Sequence, residues 1–448
     1  MKNTIIFLLA VFSFTACNEN NKEVQKLAKT PPMGWNSWDS YALKLNEETA
    51  LANIDAFAEK LKPSGYEYFV IDAGWYDQEN KEANNNSWEI NIDEYGLLQA
   101  SETYFPNGLE LVIEHCHNLG IKFGLHLMRG IPRVVVKKNL PVKGTKYTAN
   151  DIADTNSICE WSTLNYGIDM NKPGAQEYYN NLINQMAGWG VDFIKYDDIV
   201  PFPDEVEAVV KAIEQCGRPI LLSLSPGDVV DVNAIGTFRK ANMLRVTQDI
   251  WDNQISIDKT FEAMRKWQGT KTDHFWIDMD MIPFGQLRLT SPEILEEAER
   301  IEFETYGMGG PNRWTKLSKD QMCTFITQRA ISASPLMMGG DLVSIDDFSL
   351  ELLTNKEMIQ CNQNGIMAKL VHENDSIEVW ETAQKKTTNQ WVAIFNRNDK
   401  DVEIHLTPEL LKIENTKSIH NIWTNAKLQL NNEYTIAANG VLFLKIEI

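Results

Sequence analysis

Through about residue 340, short apolar runs alternate with amphipathic stretches, a pattern that predicts strands and helices in succession. The strand-like runs fall at 33–37, 68–71, 121–127, 191–196, 220–224, 243–246, 274–277 and 335–338. Helical periodicity marks 47–61, 174–188, 203–216, 257–268 and 317–332 between them. The first helix carries its own boundaries: Asn46 to cap it, Glu47 and Glu48 at its positive end, and Pro63 to stop it. Eight strands alternating with helices predict a closed parallel (β/α)₈ (TIM) barrel over residues 30–345. The stretch from Met128 to Tyr178 reads as a long loop excursion above the barrel mouth.

The texture changes near residue 350. Runs at 376–381, 391–396, 402–406 and 440–446 alternate apolar with polar residues, between turns rich in Asn, Asp and Lys. This predicts a small C-terminal antiparallel β-sandwich over 350–448, with no long amphipathic helix left in it.

The N-terminus reads as a targeting segment. Lys2 precedes an apolar run at 5–12, too short for a permanent membrane span, and Phe14-Thr15-Ala16-Cys17 follows. Small residues directly before a cysteine resemble a bacterial lipoprotein signal. The expectation is a signal at 1–17, lipidation of Cys17, a polar tether at 18–29, and export to the outer membrane or periplasm.

Charge and cysteines narrow the partners. A net charge of −20 on 448 residues argues against nucleic acid or an anionic membrane surface, and leaves a neutral ligand open. Cys116, Cys159, Cys216, Cys323 and Cys361 form no CxxC and no disulfide framework. His115 and His117, two apart on a helix, point away from each other, so no metal site is expected.

The candidate chemistry lies where the apolar runs stop. Run four ends in Lys195-Tyr196-Asp197-Asp198, and alternation puts Lys195 and Asp197 on one face. An adjacent cation holds Asp197 ionised, as a glycosidase nucleophile must be. Run one ends in Trp35-Asn36-Ser37-Trp38, with Trp38 nearer the rim, and run two in Asp72-Ala73-Gly74-Trp75. Run six leads from Arg245 to Asp249 and Asp252, and run seven ends near Asp278 and Asp280. Tryptophans among carboxylates suit a sugar, whose C–H face packs on indole while acids accept its hydroxyl protons. Trp251 beside Asp249 favours it as the acid/base, but spacing alone leaves Asp252 open.

Taken together, Pro31-Pro32-Met33-Gly34-Trp35-Asn36-Ser37-Trp38, Ile71-Asp72, Lys195-Tyr196-Asp197, Arg245 with Asp249, and the segment from Pro335 to Leu342 resemble glycoside hydrolase family 27. That family comprises α-galactosidases and α-N-acetylgalactosaminidases. The resemblance runs from about residue 30 to the end and implies a retaining double displacement without cofactor or metal. It makes Asp197 the nucleophile and Asp249 the acid/base. Trp38, Asp72, Lys195, Arg245 and Asp280 match its terminal-sugar pocket.

Three departures concern the sugar. Asp72-Ala73 replaces a pair of consecutive acids, Ser223-Leu224-Ser225-Pro226-Gly227 replaces a Cys-Glu-Trp loop, and His126 stands where a tyrosine is usual. The family's disulfide cysteines are also replaced, around Gly74 and Ile199. Ser225 therefore joins the expected sugar-binding residues, in altered surroundings of the 2-hydroxyl. The leading expectation is an α-galactosidase acting on oligo- or polysaccharide. Ala73 makes a β-L-arabinopyranosidase the foremost alternative, ahead of an α-N-acetylgalactosaminidase or an isomaltose-releasing dextran hydrolase. A non-catalytic glycan-binding lipoprotein is the reading from another class.

Overall fold

The computed structural model describes residues 27–77, 89–227, 230, 234–270, 273–292, 294–414 and 416–448. The expected signal, Cys17 and most of the tether lie outside them.

Eight parallel strands form the core: β1 (Met33–Asn36), β2 (Tyr68–Ile71), β3 (Lys122–Met128), β4 (Phe193–Asp197), β5 (Leu221–Leu224), β6 (Met243–Arg245), β7 (Trp276–Asp278) and β8 (Leu336–Met338). Each pairs with its neighbours in chain order, and β8 lies beside β1. The last seam, between β7 and β8, closes just past β7. There the Ile282 amide donates to Met337 O at 2.8 Å, and the Gly339 amide donates to Ile282 O at 3.0 Å. The curled sheet is thus the expected barrel.

Side-chain alternation divides each strand between two cores. From β4, Ile194 and Tyr196 join the large outer core under the helices. Phe193 instead joins Tyr68, Val70, Leu221, Met243 and Met337 in an apolar layer inside the barrel. Above that layer the inward positions turn polar, and they form the mouth. Below it the barrel is closed by the entering chain: Trp276 Nε1 donates to Ala28 O at 2.8 Å, and His274 Nδ1 lies 3.0 Å from Leu27 O.

The packing helices include α1 (Glu47–Lys60), α2 (Ala175–Trp189), α3 (Pro203–Gln215), α4 (Gln254–Trp267) and α5 (Lys319–Ile331). Asn46 caps α1 as expected, its Oδ1 accepting the Thr49 amide at 2.9 Å.

The 128–178 excursion is more ordered than a loop. It holds an antiparallel three-stranded sheet of Ile131–Pro132, Asn165–Ile168 and Ala153–Ile158, and two short helices. Arg129 pins it to the barrel, bonding Asp198 Oδ2 at 3.0 Å, Glu205 Oε1 at 2.7 Å and Ser157 Oγ at 3.0 Å.

After the barrel come two short helices, Asp347–Thr354 and Lys356–Gln363, and then the C-terminal sheets. One sheet has six antiparallel strands; the other pairs Val402–His405 with Glu433–Ile436. Trp380, Trp391, Phe395 and Phe443 face the barrel, while Val379, Val392, Ile394 and Leu444 face the second core between the sheets. The five described cysteines are free thiols.

Candidate active site

Register brings the inward polar residues to one level. His126 lies opposite Lys195, Lys195 opposite Ser223, and Arg245 opposite Asp278. Strand ends at the C-terminal face of a barrel are where its loops leave side chains free for chemistry.

Asp197 ends β4 as a buried carboxylate. Its Oδ2 lies 3.2 Å from His126 Nε2 and 3.9 Å from Lys195 Nζ. Burial opposes its charge, but the His126 hydrogen bond and the charges of Lys195 and Arg245 outweigh that. Its carboxyl is therefore held far below the usual range. Lys195 reaches across to Asp72 Oδ2 at 2.8 Å, an atom that also accepts Asn36 Nδ2 at 2.8 Å. The Ala73 amide takes the other Asp72 oxygen at 2.9 Å. Burial again opposes the charge of Asp72, but Lys195 and His126 keep its carboxyl below the ordinary value.

Asp249 has the opposite environment. It pairs with Arg245 Nη2 at 3.0 Å and keeps 36% of its side chain exposed. Burial lifts its carboxyl above the ordinary range, Arg245 pulls it down, and Asp280 and Asp197 add to the rise, which prevails. Two carboxyls pushed in opposite directions are the arrangement that separates an acid from a nucleophile.

Asp252, which spacing left open, belongs to a different network. The Arg313 guanidinium takes both its oxygens and the Lys316 amide adds a third bond. Asp198 is likewise turned away, bonded to Arg129. Asp280 holds the wall behind Asp249: its Oδ2 accepts the Ile250 amide at 2.9 Å, and its Oδ1 lies 3.5 Å from Arg245 Nη1.

A small cavity lies beneath the mouth, its walls including Asn36, Lys195, Ser225, Arg245 and Asp280 and its base Phe193, Met243 and Met337. Ser225 is 1% exposed, and its Oγ has no hydrogen-bond partner among the described residues. Trp38 is half-buried against the inner apolar layer. Trp35 is core: it stacks on Phe69 at 4.5 Å, and its Nε1 donates to Gly340 O at 2.8 Å. Ion pairs and the cavity wall thus bring Asp72, Lys195, Asp197, Ser225, Arg245, Asp249 and Asp280 to one mouth, while Trp38 packs on the inner apolar layer.

Two members were not among the expected site residues. His126 contacts Asp197 directly, and Asn36 braces Asp72. The signal for both was present, since each occupies an inward position at a strand end, in line with residues already singled out.

Sequence profiles match two segments: Melibiase over residues 20–211 and alpha galactosidase A over 313–364. The crystal structure of a GH27 β-L-arabinopyranosidase from Geobacillus stearothermophilus, in complex with arabinose, superposes with a TM-score of 0.86 and 36% identity, covering 95% of this chain and 99% of that one. Alpha-galactosidase 2 of Arabidopsis thaliana is 26% identical over 385 residues, 84% of this chain and 78% of its own length. Alpha-galactosidase A of Cellvibrio japonicus is 27% identical over 411 residues, with the same 84% and 78% coverage. Fold, strand-end acids and relatives agree: the chain belongs to glycoside hydrolase family 27 and is a glycoside hydrolase.

Proposed function

We propose that this protein is a retaining exo-glycosidase that removes terminal β-L-arabinopyranosyl groups. Asp197 attacks the anomeric carbon while Asp249 gives its proton to the departing oxygen. The C–O bond breaks and a glycosyl ester on Asp197 remains. Asp249, now a carboxylate, takes a proton from water as that water's oxygen attacks the same carbon. Asp197 then leaves as a carboxylate. The opposed electrostatics of Asp197 and Asp249 support these roles.

Ala73 carries the choice of sugar. It follows Asp72, whose carboxylate accepts from Asn36, Lys195 and the Ala73 amide, and it offers no second carboxylate to a C6 hydroxyl. A β-L-arabinopyranoside has the galactoside configuration at the ring carbons but lacks the C6 hydroxymethyl, so it loses nothing there. The 36% identity to a β-L-arabinopyranosidase, over 95% of the chain, is consistent with the same reading. Those curated relatives keep α-galactosidase as the second reading.

Rates on nitrophenyl β-L-arabinopyranoside, α-galactoside and α-N-acetylgalactosaminide, measured side by side, decide the sugar. Preference for the arabinoside is expected; preference for either other substrate overturns the assignment. Turnover of none of the three leaves the isomaltose-releasing dextran hydrolase as the reading. We also propose export with lipidation at Cys17, tested by palmitate labelling that Cys17→Ser abolishes.

A further inference from the structure

Arg329, in α5, is a fully buried guanidinium whose hydrogen bonds all go to carbonyl oxygens. Nη2 donates to Met279 O at 2.6 Å and Met281 O at 3.3 Å, Nε to Asp280 O at 3.3 Å, and Nη1 to Phe325 O at 3.3 Å. Its Cζ lies 3.6 Å from the centre of the Phe325 ring. Among the described residues no carboxylate comes within ion-pair distance of it. A buried charge without a counter-ion is costly, so its retention calls for a purpose. Burial pulls the group down to about 9, against the more distant charges of Asp280, Asp278 and Asp39.

The three carbonyls it gathers belong to the turn after β7. In that turn Asp280 has φ +68°, a left-handed conformation that a residue with a side chain seldom adopts. From there Asp280 reaches the Ile250 amide and Arg245, and Arg245 pairs with Asp249. A continuous set of contacts therefore runs from α5 to the acid/base.

We propose that Arg329 is a positioning residue: it clamps the left-handed turn at Asp280, and Asp280 in turn sets the place and proton affinity of Asp249. This rests on the assignment of Asp249 as acid/base. The charged groups acting on Asp249 include Arg245, Asp280, Lys195, Asp197 and the buried Asp39. Loosening Asp280 removes a negative neighbour and leaves Asp249 closer to the influence of Arg245. Both changes make it release its proton at lower pH.

Arg329→Lys keeps the charge but cannot bridge three carbonyls from one plane, whereas Arg329→Gln removes the charge. For both variants, kcat/KM is measured against pH on a nitrophenyl glycoside and on the glycosyl fluoride of the same sugar, whose leaving group needs no proton. The loss expected on the nitrophenyl substrate is about tenfold or more, a fraction of what a general acid supplies. A smaller loss on the fluoride and an alkaline limb displaced to lower pH are expected with it. Equal losses on both substrates with an unmoved limb overturn the proposal. Asp280→Asn supplies an independent check should the Arg329 variants not fold: it should displace the limb the same way, and an unmoved limb refutes the path. Asp249→Ala tests the underlying assignment separately. If it damages both substrates equally, Asp249 is not the acid, whatever Arg329 does.

Discussion

Asp252 offers its two carboxylate oxygens to the Arg313 fork, at 2.5 and 3.1 Å, and accepts the Lys316 amide at 2.9 Å. With 1% of its side chain exposed, it is shut away from a substrate in the mouth and serves as a structural ion pair. Asp252→Asn should therefore cost stability, about 3 kcal/mol for a broken buried pair, read by urea unfolding. Asp249→Ala should do the reverse, sparing stability while lowering kcat about a hundredfold or more on nitrophenyl substrates. An Asp252 variant that unfolds normally but cannot protonate leaving groups would exchange the two roles.

Asp197→Ala should abolish turnover. Added azide should partly restore bond cleavage, giving a glycosyl azide of inverted configuration identifiable by NMR. Near-native activity without azide would remove Asp197 from the nucleophile role.

His126 holds the nucleophile's Oδ2 from the neighbouring strand. His126→Phe keeps a ring but loses the donor, and should lower kcat about 10- to 100-fold, the worth of a hydrogen bond to a charged group. His126→Gln, which can still donate, should recover much of that loss. KM should change less than kcat in both variants. Equal impairment of the two would make His126 a packing residue.

Ala73→Asp restores a second acid at the half-exposed position next to Asp72. Its expected effect is to raise the galactoside-to-arabinoside ratio of kcat/KM about tenfold or more, from one added hydrogen bond between the C6 hydroxyl and a carboxylate. An unchanged ratio would mean that Ala73 does not select the sugar.

Stability should also respond to pH through Asp278. Burial and then the Asp280 charge push its carboxyl up to about 6 from 3.8. The folded state thus holds this proton more tightly than the unfolded chain does. The resulting stability is fully present below about pH 4 and is lost as pH rises through about 6. Asp278→Asn should flatten that part of the Tm-against-pH curve, because the amide oxygen can still accept the Asp280 amide. An unchanged slope would rule Asp278 out as its source.

The barrel was legible because its strands are short apolar runs that end abruptly in charge, so strand ends and chemistry coincide. The 128–178 excursion was not. Its strand Ala153–Ile158 is half-exposed along its length and shows no apolar alternation for a pattern to detect. The helices Asp347–Thr354 and Lys356–Gln363 have eight residues each, too short to display a clear period. Asp249 and Asp252 looked alike because the residue that separates them, Arg313, lies 61 positions away in sequence from Asp252. Arg329 was hidden for a similar reason: the carbonyls that receive it belong to a turn about fifty positions earlier in the chain.

The carbonyls of Leu27 and Ala28 are held by His274 and Trp276 where the strands begin, and the mouth opens where they end. Whatever is joined to the residues before Leu27 therefore attaches at the closed pole. Under the lipidation proposed for Cys17, the anchor joins the barrel at the pole opposite the pocket. Immobilisation on a bead through the same end should leave the rate on large glycans intact, whereas coupling through the βα loops should obstruct it.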